Sequence, residues 1–184
     1  MNNVNIMNTV ILFWNPDISS YKMEMHRDLL SRDFFVLNTF NWSVWEHERA
    51  HEGDRFFMVR CKNRPVPGKL NKWGKQAREP VIDDTTGICM AGEFTSEPYR
   101  DEDWYGKGRE TYYMNMNIRQ ASDPDKFVIL KKSALLEAIP DFDWKGGHSG
   151  RLLDEDAAAK LEKLFEQSLK ANKDKIWEPQ FLLA

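Results

Sequence analysis

The chain has 184 residues, a length typical of one compact domain, and we expect a single domain over residues 1–184. Its hydrophobic fraction of 41% and charged fraction of 30% are typical of globular proteins and exclude a disordered or collagen-like chain. Lysine and arginine number 26 and aspartate and glutamate 29, and this net charge of −3 excludes a protein that coats nucleic acid by overall positive charge.

Short apolar and alternating segments in the first two thirds of the chain predict strands, with one helix early in the chain. The apolar, β-branched run at residues 9–14 predicts a strand buried on both faces. Residues 21–30 carry Tyr21, Met25 and Leu29 at helical spacing and predict a helix. The other predicted strands are residues 34–39, 55–61, 87–96, 112–118 and 127–130.

The stretch from residue 62 to about residue 85 has no hydrophobic period. Three prolines and two glycines interrupt it. It therefore predicts a long loop or a partly ordered insertion.

Two helices are predicted near the end of the chain. Residues 133–139 form a short one stopped by Pro140, and residues 154–170 form a long one with Asp154 as N-cap. The tail carries Trp177 and Phe181, which we expect to dock on the body. Because the strands cluster between helices, the fold class is predicted as α+β, with a small mixed β barrel of five or six strands flanked by helices.

His47-Glu48-Arg49-Ala50-His51 matches the H-E-x-x-H pattern of zinc hydrolases, in which two histidines one helical turn apart bind the metal. That chemistry needs an anchored helix and a third ligand. The segment between Trp45 and Gly53 allows barely two turns, and Ala50 is its main apolar residue. A solvated polar turn is the favoured interpretation, and a zinc-dependent hydrolase is the alternative function.

No P-loop, dinucleotide-binding fingerprint or Cys-x-x-Cys pair occurs, and we predict neither a catalytic residue nor a cofactor. The first residues lack the features of a secretory signal, and the longest early apolar run is far too short to span a membrane. Cys61 and Cys89 lie in predicted strands and are interpreted as reduced, buried residues. We therefore expect a cytoplasmic protein without a membrane partner.

Residues 60–79 contain seven basic side chains against one acidic side chain, Glu79. A flexible basic segment with one tryptophan, Trp73, is typical of an arm that follows a nucleic-acid backbone. A solvated insertion without a partner is the other interpretation. The cations taken as candidates for phosphate contact are Arg60, Lys62, Lys72, Lys75 and Arg78.

Tryptophans in polar surroundings are the candidates for ligand contact. The segment at residues 40–45 places Trp42 and Trp45 on either side of Ser43, an arrangement that could form an aromatic wall beside a hydroxyl. Trp104 lies in a polar, glycine-flanked loop, where an indole suits a lid or a stacking surface better than a core.

These segments occur in an order that resembles the EVE-type branch of the PUA-like superfamily, which also contains YTH and ASCH domains. The resemblance covers roughly residues 9–165. Its motifs, in order, are Trp14-Asn15-Pro16, Trp42-Ser43-Val44-Trp45, Gly53-Asp54-Arg55-Phe56-Phe57, Gly87-Ile88-x-x-x-Gly92, Ser96-x-Pro98-Tyr99, Trp104 and Ser149-Gly150.

The resemblance implies a pseudo-barrel whose mouth holds one extruded nucleobase, often a methylated one, as in modified-cytosine readers of restriction systems. It implies that Trp42 and Trp45 line an aromatic cage with Ser43 at its edge. Asn15 would present a polar group, Trp104 would close the pocket, and Ser149 with Gly150 would supply hydroxyl and backbone contacts.

The expected function is a non-catalytic module that binds DNA or RNA through a modified or flipped base. The sequence departs from the family pattern in its long segment at residues 62–84. It also contains no nuclease or ATPase domain, so any effector action is expected from a separate protein. A small-molecule or protein-binding adaptor on the same fold is a further alternative, and it predicts a pocket without a basic rim.

Overall fold

The computed structural model describes residues 7–32, 40–102, 108 and 110–179. The strands are β1 (Thr9–Trp14), β2 (Phe40–Ser43), β3 (Arg55–Arg60), β4 (Asn63–Leu70), β5 (Gln76–Pro80), β6 (Gly87–Phe94), β7 (Tyr99–Glu102), β8 (Glu110–Ala121), β9 (Leu130–Lys131) and β10 (Arg151–Leu153). The helices are α1 (Met23–Arg32), α2 (Lys132–Ala138) and α3 (Glu155–Ala171), followed by a 3-10 turn at Lys173–Lys175. Among the residues described, no helix is long and apolar enough to cross a membrane.

Six strands form one continuous sheet in the order β10-β1-β3-β6-β8-β2, with the short strands β7 and β9 paired to β8 and β6. Strands β1 and β3 run parallel, whereas the other pairs are antiparallel. This mixed sheet, flanked by helices, confirms the predicted α+β class.

The first and third strands are buried on both faces, as predicted for β1. Alternate side chains point to opposite sides of a strand, so each strand serves two apolar clusters. Val10 and Phe56 pack in a cluster inside the curled sheet. Ile11 and Phe57 pack on the other side in a second cluster, together with Phe165 of α3.

Backbone hydrogen bonds join the two ends of the sheet. The N–H groups of Trp45 and Glu46, just after β2, donate to the carbonyls of Ser149 and Gly150, each at 2.9 Å. The Gly150 N–H in turn donates to the carbonyl of Ile11 in β1, also at 2.9 Å. We call these contacts the seam. The seam connects β2 to β1 and closes the sheet into a pseudo-barrel.

The helix predictions agree closely with the structure. Helix α1 begins two residues after its predicted start, and α3 has Asp154 as N-cap, whose carboxylate accepts a hydrogen bond from the Ala157 N–H at 2.8 Å. The tail docks through Trp177, which exchanges two backbone hydrogen bonds with Ala121 in β8. The predicted strand at residues 34–39 and the side chain of Phe181 lie outside the described residues.

The predicted loop at residues 62–85 is instead largely a two-stranded hairpin of β4 and β5, separate from the main sheet. Prolines disrupt hydrophobic periodicity and cannot donate to a ladder, but a two-stranded ribbon has free edges that tolerate them. Pro65 and Pro80 both take part in its pairing. Sequence periodicity also misses β7 and β10, which are too short to show a pattern.

Candidate ligand-binding cleft

A cleft of about 1040 Å³ opens at the end of the pseudo-barrel where β1 and β3 finish. Its volume is at the upper end of the range typical of ligand sites. Strand β2, the base of the β4–β5 hairpin, the segment before α1 and the glycine-rich segment 145–149 form its walls. Four of the sequence-predicted ligand residues line it, namely Asn15, Trp42, Ser43 and Ser149.

An aromatic group of Trp14, Tyr21 and Trp42 lies at the cleft, and Tyr21 and Trp42 line it. Trp14 is buried and its indole Nε1–H donates to the carbonyl of Tyr21 at 2.8 Å. The rings of Tyr21 and the half-buried Trp42 are perpendicular, with centroids 6.3 Å apart. Trp42 therefore has a fixed neighbour on the protein side while it also borders the cleft.

His26 of α1 is hydrogen-bonded to the hydroxyl of Tyr21. The imidazole is fully buried, its Nε2 lies 2.7 Å from the Ser122 carbonyl, and its Nδ1 lies 2.9 Å from the Tyr21 hydroxyl. Since a carbonyl only accepts, Nε2 carries the proton and Nδ1 of the neutral ring accepts from Tyr21. Burial lowers the pKa of His26, outweighing the hydrogen bond to Ser122, and favours this neutral form.

Polar groups border the cleft with hydrogen-bonding capacity left over. The Ser149 hydroxyl oxygen accepts from the backbone N–H of Phe13 at 2.9 Å, which leaves its own proton available to a guest. Asn15 uses its Oδ1 to accept from the Asp17 N–H, so its amide N–H groups can face the cleft. Together with Ser43, these side chains could read the edge of a planar heterocycle.

The structure separates the two tryptophans that the resemblance placed in one cage. Trp42 borders the cleft, whereas Trp45 lies outside its lining and is 58% exposed. Strand β2 ends at Ser43 and Trp45 lies in the turn that follows, so the two rings are not facing walls of the cleft. Trp45 instead stacks on His148, with ring centroids 3.6 Å apart and an angle of 5°, and it is His148 that lines the cleft.

Gly150 lies in the seam and does not border the cleft. Its contribution is therefore to closure of the barrel. Trp104, the predicted lid, lies outside the described residues.

The cleft also contains residues that sequence reasoning does not select. Tyr21 appears in the sequence only as part of a helical pattern, and His148 only as one residue of a glycine-rich loop. The three glycines around His148 are the sequence feature that could indicate a ligand site here, because glycine permits close approach of the backbone to a ligand.

The predicted phosphate-contacting cations fall into four groups. Arg60 is buried, and its guanidinium donates to Asp125 and to the Thr85 carbonyl, so the structure does not favour it as a phosphate contact. Lys62 is paired with Asp83 at 3.3 Å. Lys72 and Lys75 lie near the hairpin turn, while Arg78 borders the cleft.

The H-E-x-x-H segment folds as a polar turn, as favoured from the sequence, and not as a helix. His47 stacks on Tyr112 with centroids 3.7 Å apart, and His51 Nδ1 lies 3.0 Å from the Glu97 carboxylate. The hydrogen bond to Glu97 raises the pKa of His51. Within the described ranges, no three His, Cys, Asp or Glu side chains are grouped to hold a metal ion. The zinc hydrolase alternative therefore has no support in this geometry.

Cys61 and Cys89 are both buried free thiols, and burial raises the pKa of each. Cys61 borders the cleft, with the fully buried Lys132 Nζ 3.5 Å from its sulfur.

Neither protein-family models nor curated proteins provide a match to this chain. Among solved structures, the chain is similar to the YTH domain of the Zygosaccharomyces rouxii MRB1 protein, solved in complex with N6-methyladenosine RNA. The two are 15% identical, the match covers 88% of each chain, and the TM-score is 0.39. At that TM-score the likeness does not assign a family, and the EVE-type assignment stays a prediction.

Proposed function

We propose that this protein is a non-catalytic nucleic-acid-binding module that holds one modified or flipped base in the cleft beside Trp42. The observation that supports this best is the combination at one site of a half-buried indole, free hydrogen-bonding groups on Asn15 and Ser149, and the base of a cationic hairpin. An aromatic face suits the plane of a base, and the polar groups suit its edge.

The energetics show why more than the cleft is needed. Extruding a base costs a few kcal/mol, and stacking on one aromatic side chain returns roughly 1–3 kcal/mol. Burying a methyl group adds only about 0.8 kcal/mol. The cost of extruding the base and the gain from stacking nearly cancel. Measurable affinity therefore requires contacts to the nucleic-acid backbone as well.

Charge at the edge of the cleft meets that requirement. Arg78 and Lys145 border the cleft, and neither has a carboxylate partner among the described residues. Phosphates are the natural counterpart of such cations. The small-molecule or protein-adaptor alternative predicts a pocket without a basic rim, whereas two cations, Arg78 and Lys145, and one carboxylate, Asp28, line this cleft.

The proposal predicts that Trp42→Ala weakens binding of modified oligonucleotides by about 5- to 100-fold, the loss of one stacking contact. Fluorescence anisotropy with single-stranded RNA and DNA carrying N6-methyladenosine or 5-methylcytosine, beside unmodified strands, measures this. Trp42→Phe should keep most of the affinity because it keeps an aromatic face.

Trp45→Ala is the matched control, because its indole is exposed, lies three residues away and does not border the cleft. Its effect should be smaller than that of Trp42→Ala. Thermal unfolding of each variant separates lost binding from lost folding. Equal affinity of wild type and folded Trp42→Ala for every strand would disprove the proposal, as would absence of wild-type binding to the whole panel.

A further inference from the structure

The turn of the β4–β5 hairpin exposes large apolar side chains. Trp73 is 72% exposed and Leu70 is 66% exposed, although exposing large apolar side chains to water is energetically unfavourable. Neither packs in either of the two apolar clusters of the described residues. We call residues 70–75 the hairpin tip. An indole held away from the core is available to a partner.

Specific hydrogen bonds order the hairpin tip. The Asn71 side-chain oxygen accepts from the backbone N–H groups of Trp73 and Lys75, at 2.9 and 3.0 Å. The Gln76 side-chain amide donates to the carbonyls of Val66 and Lys69, at 2.6 and 3.2 Å, where the ladder is interrupted. Because the turn is already ordered, less conformational entropy is lost when Trp73 contacts a ligand.

The hairpin tip and the residue before it carry three lysines. Lys69, Lys72 and Lys75 have no carboxylate partner within the described part of the chain. The Lys72 ammonium lies 4.5 Å from the centroid of the Trp73 ring. In contrast, Arg64 further down the hairpin is paired with Glu79 at 2.6 Å. The free positive charge is therefore concentrated around the exposed ring, which favours a polyanion with planar groups.

The hairpin connects the tip to the cleft. Pro80 and Arg78 of β5 border the cleft, while Gln76 at the other end of the strand adjoins the tip. Four strand residues span about 13 Å at ~3.3 Å each. A stacked nucleic-acid strand advances about 3.4 Å per nucleotide, so about four nucleotides cover the length of β5, and Trp73 lies beyond its end.

We propose that Trp73 is a second stacking site for a single-stranded nucleic acid, at least about four nucleotides from the base held in the cleft. This inference rests on the proposed function of the cleft and extends it to the class of substrate. Stacking on Trp73 needs a base with a free face, which unpaired strands provide and continuous duplexes do not. Lys69, Lys72 and Lys75 contact the phosphates between the two bases.

The test uses fluorescein-labelled single-stranded RNAs of 3, 5, 9 and 13 nucleotides centred on N6-methyladenosine. Wild-type affinity should rise between the 5-mer and the 9-mer, where the strand first reaches the hairpin tip. Trp73→Ala should bind the 9-mer and 13-mer about 5- to 100-fold more weakly while leaving the 3-mer unchanged. Trp73→Phe should retain most of the gain with length. Ile82→Ala, which removes another exposed apolar side chain outside the hairpin, should match wild type.

The salt dependence gives a second readout. Lys69→Gln combined with Lys75→Gln should reduce the slope of log affinity against log salt by about 1.4 for the 13-mer, since each phosphate contact to a single strand contributes about 0.7.

The outcomes separate the two proposals. If Trp42→Ala weakens every length and Trp73→Ala weakens only the long strands, both hold. If Trp73→Ala matches wild type at every length, the second stacking site is disproved and the cleft is unaffected. If Trp73→Ala weakens long strands but Trp42→Ala does not weaken any, the hairpin contact is supported and the cleft function fails. Tighter binding after annealing a complementary strand would overturn the single-strand assignment.

Discussion

Replacing Gly150 with alanine should destabilise the folded protein by at least about 3 kcal/mol. A Cβ at this position would lie 2.4 Å from the Val44 Cα and 2.7 Å from the Trp45 backbone nitrogen. Both are backbone atoms, so no flexible side chain can move aside. The residue also has φ of +93°, a conformation that an L side chain rarely adopts. Alanine therefore forces the seam apart where β2 is joined to β1.

Gly53→Ala is the matched control. Gly53 has a nearly equal φ of +91°, but a Cβ there would meet nothing within 4 Å. This variant carries the conformational strain alone and should cost about 1 kcal/mol. Urea unfolding followed by tryptophan fluorescence measures both variants. A Gly150→Ala protein no less stable than Gly53→Ala would show that the barrel is not closed at this seam.

Acid should destabilise the protein below about pH 6.5 through the buried His26. The folded state lowers the pKa of this imidazole, so the unfolded chain takes up a proton at a pH where the folded chain does not. The free energy of unfolding therefore decreases as pH falls through the unfolded value and levels off once pH is below the folded value. Protonation would also alter the hydrogen bond that Tyr21, in the cleft wall, donates to Nδ1.

His26→Gln should lower the free energy of unfolding at pH 7 by about 1–3 kcal/mol, because it disturbs buried hydrogen bonds to Ser122 and Tyr21. It should also flatten the pH dependence between pH 7 and 5. Urea titrations at several pH values measure both effects. An unchanged slope in this variant would assign the acid sensitivity to another group.

His51→Gln provides the opposite sign as a control. The hydrogen bond to Glu97 raises the pKa of His51, so its stabilising contribution is present below about pH 6.5 and lost as pH rises through the folded value. Removing His51 should therefore make the decrease in stability toward low pH steeper. A shallower pH dependence would contradict this assignment.

Much of the candidate site can be predicted from the sequence, although by different routes. Trp42 and Ser43 follow from an aromatic-polar segment at the end of a predicted strand. Asn15 and Ser149 follow only from the family resemblance. Arg78 is predicted as a backbone contact, and the structure places it at the cleft. In each case a short segment carries the signal.

Long-range pairing decides the rest. His148 borders the cleft because the seam positions segment 145–149, and those hydrogen bonds join residues more than about a hundred positions apart in the chain. Trp45 lies outside the cleft, in the turn after β2, whereas the resemblance placed it with Trp42 in one cage. Arg60 appears in the sequence as one cation among seven. In the structure its side chain is buried and paired with Asp125.

Local patterns in the sequence by themselves determine the two-sided burial of β1, the amphipathic helix α3 with its Asp154 cap, and the α+β class. These features depend on the period of neighbouring side chains and on capping groups within a few residues. The tertiary structure alone decides that residues 63–80 form a hairpin with an exposed Trp73, and that Gly150 closes the barrel beside the cleft. Those outcomes depend on which distant strands meet, and no local period of side chains encodes that choice.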